Sequence, residues 1–75
     1  MRIDRVRETK HKQPFQPFTI HMADGRSFYI PHPDFLAIPQ SARTVMVIDT
    51  TDHYNILDAT LITELELHDP DEQAA

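Results

Sequence analysis

The sequence predicts a mainly β fold, a small five-stranded antiparallel barrel that follows a short N-terminal helix. Three observations carry this prediction. Short segments of alternating apolar and polar residues recur along the chain between turn residues, which is typical of hairpin-connected strands. A helical pattern is confined to the residues before the first proline. The chain has 75 residues, which is enough for one domain.

The leader, residues 3–12, is predicted to be a short amphipathic helix. Ile3 and Val6 are spaced i,i+3, Glu8 and Lys12 are spaced i,i+4, and no glycine or proline interrupts them. The apolar face of this helix is small, and a short helix is marginal by itself in water. We therefore expect the leader to dock on the rest of the protein.

The next segment predicts a β-hairpin with a bulged turn. Apolar and polar residues alternate over residues 18–22, and a second alternating segment follows an Asp-Gly turn. A two-residue loop would place polar His21 opposite Phe28. A three-residue loop, with Gly25 in the left-handed conformation, instead pairs Ile20 with Phe28 and turns both toward the core. Because a one-residue slip moves every side chain to the wrong face, we predict the bulged turn.

The remainder of the chain predicts a corner and further strands. A proline-rich corner at residues 31–34 ends the second strand and leads to a short strand or turn at residues 35–38. The apolar run at residues 44–48 predicts a central strand, covered on both faces or covered outside by the leader helix. Residues 54–57 predict the returning strand. In the last strand, alternation places one set of residues on one face and a second set on the other: Leu61, Thr63, Leu65 and Leu67 against Ile62, Glu64 and Glu66.

Two loops complete the predicted organisation, a turn at residues 40–42 and a hairpin loop at residues 49–52. A helix followed by five strands in so short a chain matches the SH3-like and Sm-like barrel plans, which carry no function by themselves. We therefore predict one domain over residues 1–75, made of the leader at about 3–12, the barrel at about 15–67 and a polar, frayed tail at 68–75.

The string PFQPFTIHMADGRSFYIPHPDFLAI, followed by RTVMVID and YNILDATLITELEL, resembles a group of short uncharacterised bacterial proteins. Their shared pattern is PFxPFxIHxxDGRxF, then HPDF, then a valine-rich strand and an acidic-aliphatic ending. The resemblance covers nearly the whole chain and implies a small β-rich domain of unassigned function, with no catalytic residues. The group often has a glycine near residues 40–41 and within residues 49–52, where this chain has none.

Composition limits the classes of function. Residues 1–12 carry five Lys or Arg against two acids, whereas residues 13–75 carry two Arg against ten acids. The acidic body disfavours nucleic-acid binding, although the basic leader can still contact an anionic partner. The chain has no cysteine, which fits a reducing cytoplasm, and no apolar run long enough to span a membrane. We expect a cytoplasmic protein without a membrane segment.

No catalytic constellation is recognisable, so no enzymatic activity, cofactor or metal is expected. His21 and His32 should lie several residues apart along the hairpin, which is unfavourable for a shared metal. Tyr29 shares the polar strand face with His21 and is expected beneath the leader helix. A candidate binding set combines residues of the polar face, the corner and the cationic side chains of the body: His21, Tyr29, His32, Arg26 and Arg43.

Two functions remain as hypotheses. The first is a small non-enzymatic module that self-associates or docks on another protein, because a small barrel that is not fully closed leaves strand edges that can pair. The alternative is an Sm-like nucleic-acid-binding protein that uses the cations of the leader: Arg2, Arg5, Arg7 and Lys10.

Overall fold

The computed structural model describes residues 1–40, 43–49, 51 and 53–69. These residues form one α-helix, six strands and two single 3-10 turns. In chain order the elements are α1 (Ile3–Lys10), β1 (Phe18–Met22), β2 (Ser27–Ile30), a 3-10 turn (Pro33–Phe35), β3 (Leu36–Ala37), β4 (Thr44–Ile48), β5 (Tyr54–Asp58), a 3-10 turn (Ala59–Leu61) and β6 (Ile62–Leu67).

The strands form two three-stranded antiparallel sheets. Sheet A has the order β2-β1-β6, and sheet B has the order β3-β4-β5. The mainly β fold with a short N-terminal helix is therefore confirmed. The strand count differs from five because Leu36 and Ala37 pair with β4 and form a strand of their own. The described residues form two separate sheets rather than one closed barrel.

The β1–β2 hairpin has the predicted bulged register. Ile20 pairs with Phe28 and His21 with Ser27. Gly25 has a φ of 94°, and its N–H donates to the carbonyl of Met22 at 3.0 Å. Since L side chains rarely adopt such a φ, a glycine at this position sets the turn and, through it, the register of both strands.

The last strand departs from simple alternation. The pairing of β6 with β1 skips Thr63 between Ile62 and Glu64, which makes a β-bulge. As a result Ile62 is buried with the core while Leu61 is 52% exposed, and Leu65 packs against the core as well. The alternation that set Leu61 and Leu65 together against Ile62 is wrong for this reason: one extra residue shifts the phase of the strand.

The helix docks on the core through Val6, which is fully buried. It joins inward-facing residues from both sheets and from the second 3-10 turn: Phe18, Ile20, Met22, Ile30, Leu36, Val45, Val47, Leu57, Ala59 and Ile62. Because α1 packs on the core side, it does not cover the outer face of β4. That strand is central in sheet B, as predicted, and its inward residues are buried while its outward residues stay half-buried.

The helix ends at Lys10, two residues before its predicted end. The N–H of His11 donates to the carbonyl of Arg7 at 3.1 Å and closes the last turn. Lys12 lies beyond the helix, and its Nζ donates to Gln16 Oε1 at 2.6 Å. The expected i,i+4 pairing of Lys12 with the helix is therefore replaced by a contact to the following segment.

Three predicted features fall wholly or partly outside the described residues. Residues 41 and 42 belong to the predicted turn, residues 50 and 52 to the predicted loop, and residues 70–75 to the predicted tail.

Candidate functional site

The outer face of sheet A carries a group of polar and aromatic side chains that we call the histidine face. Its members come from all three strands and from the residue that follows β6: Thr19, His21, Tyr29, Glu66 and His68. The outward position of Thr19 and His21 follows from the strand period of two, because they alternate with the buried Phe18, Ile20 and Met22.

Direct contacts join the members of the histidine face in pairs. His21 Nε2 lies 2.8 Å from Glu66 Oε1, and Thr19 Oγ1 lies 2.7 Å from His68 Nε2. The rings of Tyr29 and His68 meet edge to face, with centroids 5.8 Å apart. The hydrogen bond from His21 lowers the pKa of Glu66; partial desolvation opposes this effect, and the charges of both imidazoles reinforce it.

The main chain of His68 is held against the segment before β1. Its N–H donates to the carbonyl of Pro17 at 2.8 Å, and its own carbonyl accepts from Gln16 Nε2 at 3.0 Å. His68 is thus part of the folded body, although the frayed tail was predicted to begin there. The expected position of Tyr29 beneath the helix is also wrong, because its ring meets His68 on the outer face.

The chemistry of the histidine face is that of a solvated sheet surface. A hydroxyl bonded to an imidazole, as in Thr19 and His68, is also the contact of a nucleophile with its base. Here the pair lies on a half-exposed face that water reaches, and Thr19 is a strand residue rather than a residue of a pocket. Among the described residues, no group of three His, Asp or Glu is placed to hold a metal ion.

The other members of the predicted binding set lie elsewhere. The His32 ring contacts Phe35 at the corner, with centroids 6.1 Å apart. Arg26 Nε pairs with Asp24 Oδ2 at 2.8 Å, and its guanidinium lies 5.6 Å from the centroid of the Phe28 ring. The structure therefore brings His21 and Tyr29 to one face. It leaves His32 at the corner and Arg26 at the turn.

The remaining cations of the two predicted sets lie on α1 or beside it. Arg43 and Arg2 line a groove with Thr60 of the second 3-10 turn. Arg5 lines another groove between α1 and β6. Arg7 pairs with Asp4 at 3.3 Å and also donates to the carbonyl of Pro39. Lys10 lies in the last turn of the helix.

A second surface, the edge of β5 that pairs with no strand among the described residues, was not singled out by sequence reasoning. The N–H of Asp49 donates to the carbonyl of His53 at 3.1 Å, and the N–H of Ala59 donates to the carbonyl of Arg43 at 2.7 Å. In an antiparallel ladder the bonded positions alternate, so residues 55 and 57 also direct their main chain to β4. The main-chain N–H and carbonyl groups of the intervening residues point away from β4: Tyr54, Ile56 and Asp58.

The side chains along this edge are apolar and exposed. Ile56 is 69% exposed and Tyr54 is 64% exposed, and they lie across from Met46 and Ile48 of β4 on the outer face of sheet B. The β5 edge therefore combines outward main-chain groups with two large apolar side chains in water. Sequence alternation could have found these residues, because they alternate with the inward Leu57, but not the strand order that leaves β5 at an edge.

Comparison with known proteins gives no assignment: no family model, no curated protein and no solved structure matches the chain. The resemblance to the PFxPF…HPDF group stays a prediction. No helix among the described residues has the length and apolarity that crossing a membrane requires.

Proposed function

We propose that this chain is a small non-enzymatic self-association module that pairs through the β5 edge. The observation that carries the proposal is the coincidence, on one strand, of outward main-chain groups and the two exposed side chains of Tyr54 and Ile56. Unpaired main-chain groups at a strand edge are a template for another strand. Exposed apolar side chains beside these groups stabilise the pairing further, because the added strand removes part of their surface from water.

The other strands at sheet edges, β2, β3 and β6, carry features that disfavour pairing. β6 contains the bulge at Thr63, and α1 lies beside it, since Arg5 and Leu65 line one groove between them. β2 has four residues and is followed by Pro31, and β3 has two residues. Bulges, short strands, prolines and covering elements all blunt an edge. β5 has five residues, with no proline or bulge and one charged residue, at its end.

The expected association is weak and reversible. Burying the exposed part of Ile56 contributes about 1–2 kcal/mol per copy, and Tyr54 contributes a similar amount. One pair of five-residue strands lies at the small end of interface sizes, where affinity is low. We therefore expect a dissociation constant in the micromolar to millimolar range.

We further propose that the two sheets are the halves of a five-stranded SH3-like or Sm-like barrel. In support, β2 and β3 are consecutive and are separated by the corner at residues 31–35, so they can be read as two arms of one bent strand. With that reading, the neighbours follow the order β6, β1, β2/β3, β4, β5. A barrel of this order that stays open between β5 and β6 leaves β5 at an edge.

Sedimentation or light scattering over a range of concentrations tests the self-association. The wild-type chain should show a rising mean mass, and Ile56→Lys should abolish the rise because an edge lysine would have to be desolvated. Leu61→Lys is the matched control, since Leu61 is also an exposed apolar residue but follows β5. A wild-type chain that stays monomeric at millimolar concentration would overturn the proposal.

A further inference from the structure

We propose that two copies of the chain pair antiparallel through β5, about a two-fold axis that passes beside Ile56. This inference rests on the proposed self-association and adds its partner strand, direction and register. The pairing would join the two copies of sheet B into one six-stranded sheet. Three features of β5 select this arrangement: the face of each side chain, the direction of each main-chain group and the position of the charge.

The faces restrict the register to steps of two residues. Directly opposite residues in an antiparallel pair project to the same face of the sheet. Tyr54, Ile56 and Asp58 project outward, while Leu57 projects into the core. An outward residue must therefore lie opposite an outward residue of the second copy. A register with Leu57 opposite Tyr54 is excluded, because it would require an inward and an outward side chain to project to the same face of the joined sheet.

The main-chain groups then favour the register centred on Ile56. In that register Ile56 lies opposite Ile56 of the second copy, and Tyr54 lies opposite Asp58. All three outward-directed residues of each copy exchange main-chain hydrogen bonds, because each occupies a bonded position. A shift of two residues moves one end of each β5 strand past the end of the other and leaves its groups unpaired.

The charge on β5 favours the antiparallel direction. Asp58, at the end of the strand, is its charged residue, and the hydroxyl and N–H of Thr60 lower the pKa of that carboxyl. Parallel pairing in register would place the two ionised carboxylates side by side, which is unfavourable for directly opposed like charges. Antiparallel pairing centred on Ile56 separates them by about 14 Å along the strands, at 3.4 Å per residue.

The rival arrangement is head-to-tail, with β5 of one copy against β6 of the next. β6 carries the β-bulge at Thr63, and Thr9 of α1 lines a groove with Leu67 of this strand. A bulge interrupts the regular series of main-chain groups with which an incoming strand would pair. β5 pairs with β4 without a bulge, so a second β5 meets a regular edge.

Cysteine cross-linking tests the register directly, since the chain has no cysteine. In the proposed register the two Ile56 Cα atoms lie about 5.5 Å apart, within the range that a disulfide spans. Under mild oxidation Ile56→Cys should therefore form a covalent dimer rapidly. Tyr54→Cys is the matched control: its two copies would lie about 14 Å apart, beyond that range, and should cross-link at least roughly tenfold more slowly.

The outcomes separate this inference from the proposed function. Cross-linking of Tyr54→Cys with itself, or of a mixture of Tyr54→Cys and Ile56→Cys in preference to Ile56→Cys alone, would overturn the register but retain pairing through β5. A concentration-dependent dimer without cross-linking at either position would overturn both the register and the β5 edge. A monomer under all conditions would overturn self-association itself.

Amide hydrogen exchange of the unaltered chain gives an independent test. Raising the protein concentration should slow exchange at Tyr54, Ile56 and Asp58, by roughly tenfold or more where the dimer dominates. The N–H groups of Asn55 and Leu57 already face β4 and should change little. Concentration-dependent protection of Leu65 and Leu67 instead would indicate the head-to-tail arrangement and overturn the two-fold pairing.

Discussion

The outer faces of the two sheets differ in their side chains: sheet A carries polar side chains that bond to one another, and sheet B carries exposed apolar ones. On sheet A, Thr19 and His68 bond to each other, as do His21 and Glu66. On sheet B, Tyr54 and Ile56 leave most of their surface exposed. Both faces belong to three-stranded antiparallel sheets that share one core. The difference therefore arises from the side chains and not from the fold.

This difference indicates where a partner is of use. Four residues of the histidine face have hydrogen-bond partners within the chain, and a second protein would have to break these contacts before making its own: Thr19, His21, Glu66 and His68. The β5 edge has apolar surface and outward main-chain groups, and a strand that covers it removes both from water. Under the proposed self-association, sheet B is therefore the sheet that would gain from a partner strand, and sheet A is not.

The largest expected effect comes from comparing two adjacent residues of β5. Leu57 is 2% exposed, and Leu57→Ala should lower the free energy of unfolding by about 2–5 kcal/mol because it leaves a cavity between the sheets. Ile56→Ala, on the outer face of the same strand, should cost less than about 0.5 kcal/mol in the monomer. Chemical denaturation at low protein concentration measures both values.

Self-association should respond in the opposite way. Ile56→Ala should weaken the dimer, whereas a folded Leu57 variant of smaller volume change, Leu57→Met, should keep it. Equal losses of monomer stability for Ile56→Ala and Leu57→Ala would show that Ile56 is not an outer-face residue, and the contrast between the two sides of β5 would fail.

The hairpin shows what the sequence can specify. The register of β1 with β2 follows from one glycine and the alternation of Phe18, Ile20 and Phe28, because all the information is local and the wrong register exposes apolar side chains. The mainly β class and the short helix follow from the same kind of local pattern.

The histidine face shows what the sequence does not specify. Glu66 and His68 meet His21 and Thr19 across more than forty residues of chain, through the pairing of β6 with β1. No local pattern encodes that pairing, and the bulge at Thr63 further conceals the phase of β6. The strand order that leaves β5 at an edge depends on long-range contacts in the same way.

A smaller effect is expected at the turn of sheet A. Gly25→Ala should cost about 1–2 kcal/mol, since φ is 94° and an added Cβ would meet no atom within 4 Å, so the penalty is one of backbone conformation. Gly25→Asn is the matched control and should cost less, because asparagine tolerates this conformation better. Thermal or chemical unfolding measures the difference, and self-association of the folded variants should be unchanged. A variant that loses self-association while folded would mean that the two sheets are not independent in function.

The smallest expected effect is a pH dependence of folding stability that arises from Glu66 on the histidine face. The hydrogen bond from His21 lowers the pKa of Glu66 in the folded chain below the ordinary 4.5. The ionised carboxylate therefore contributes stability above pH 4.5, and this contribution is lost as the pH falls through 4.5 toward the lowered folded value. Glu66→Gln should flatten the stability profile below pH 4.5, where the wild-type contribution is lost. Glu64→Gln, on the same strand and opposite His21, removes the same charge but leaves that hydrogen bond in place, so it should retain more of the wild-type slope.

If both variants flattened the profile equally, general acidity of the face rather than the His21 contact would account for its response to pH, and the histidine face would be polar without being specifically paired.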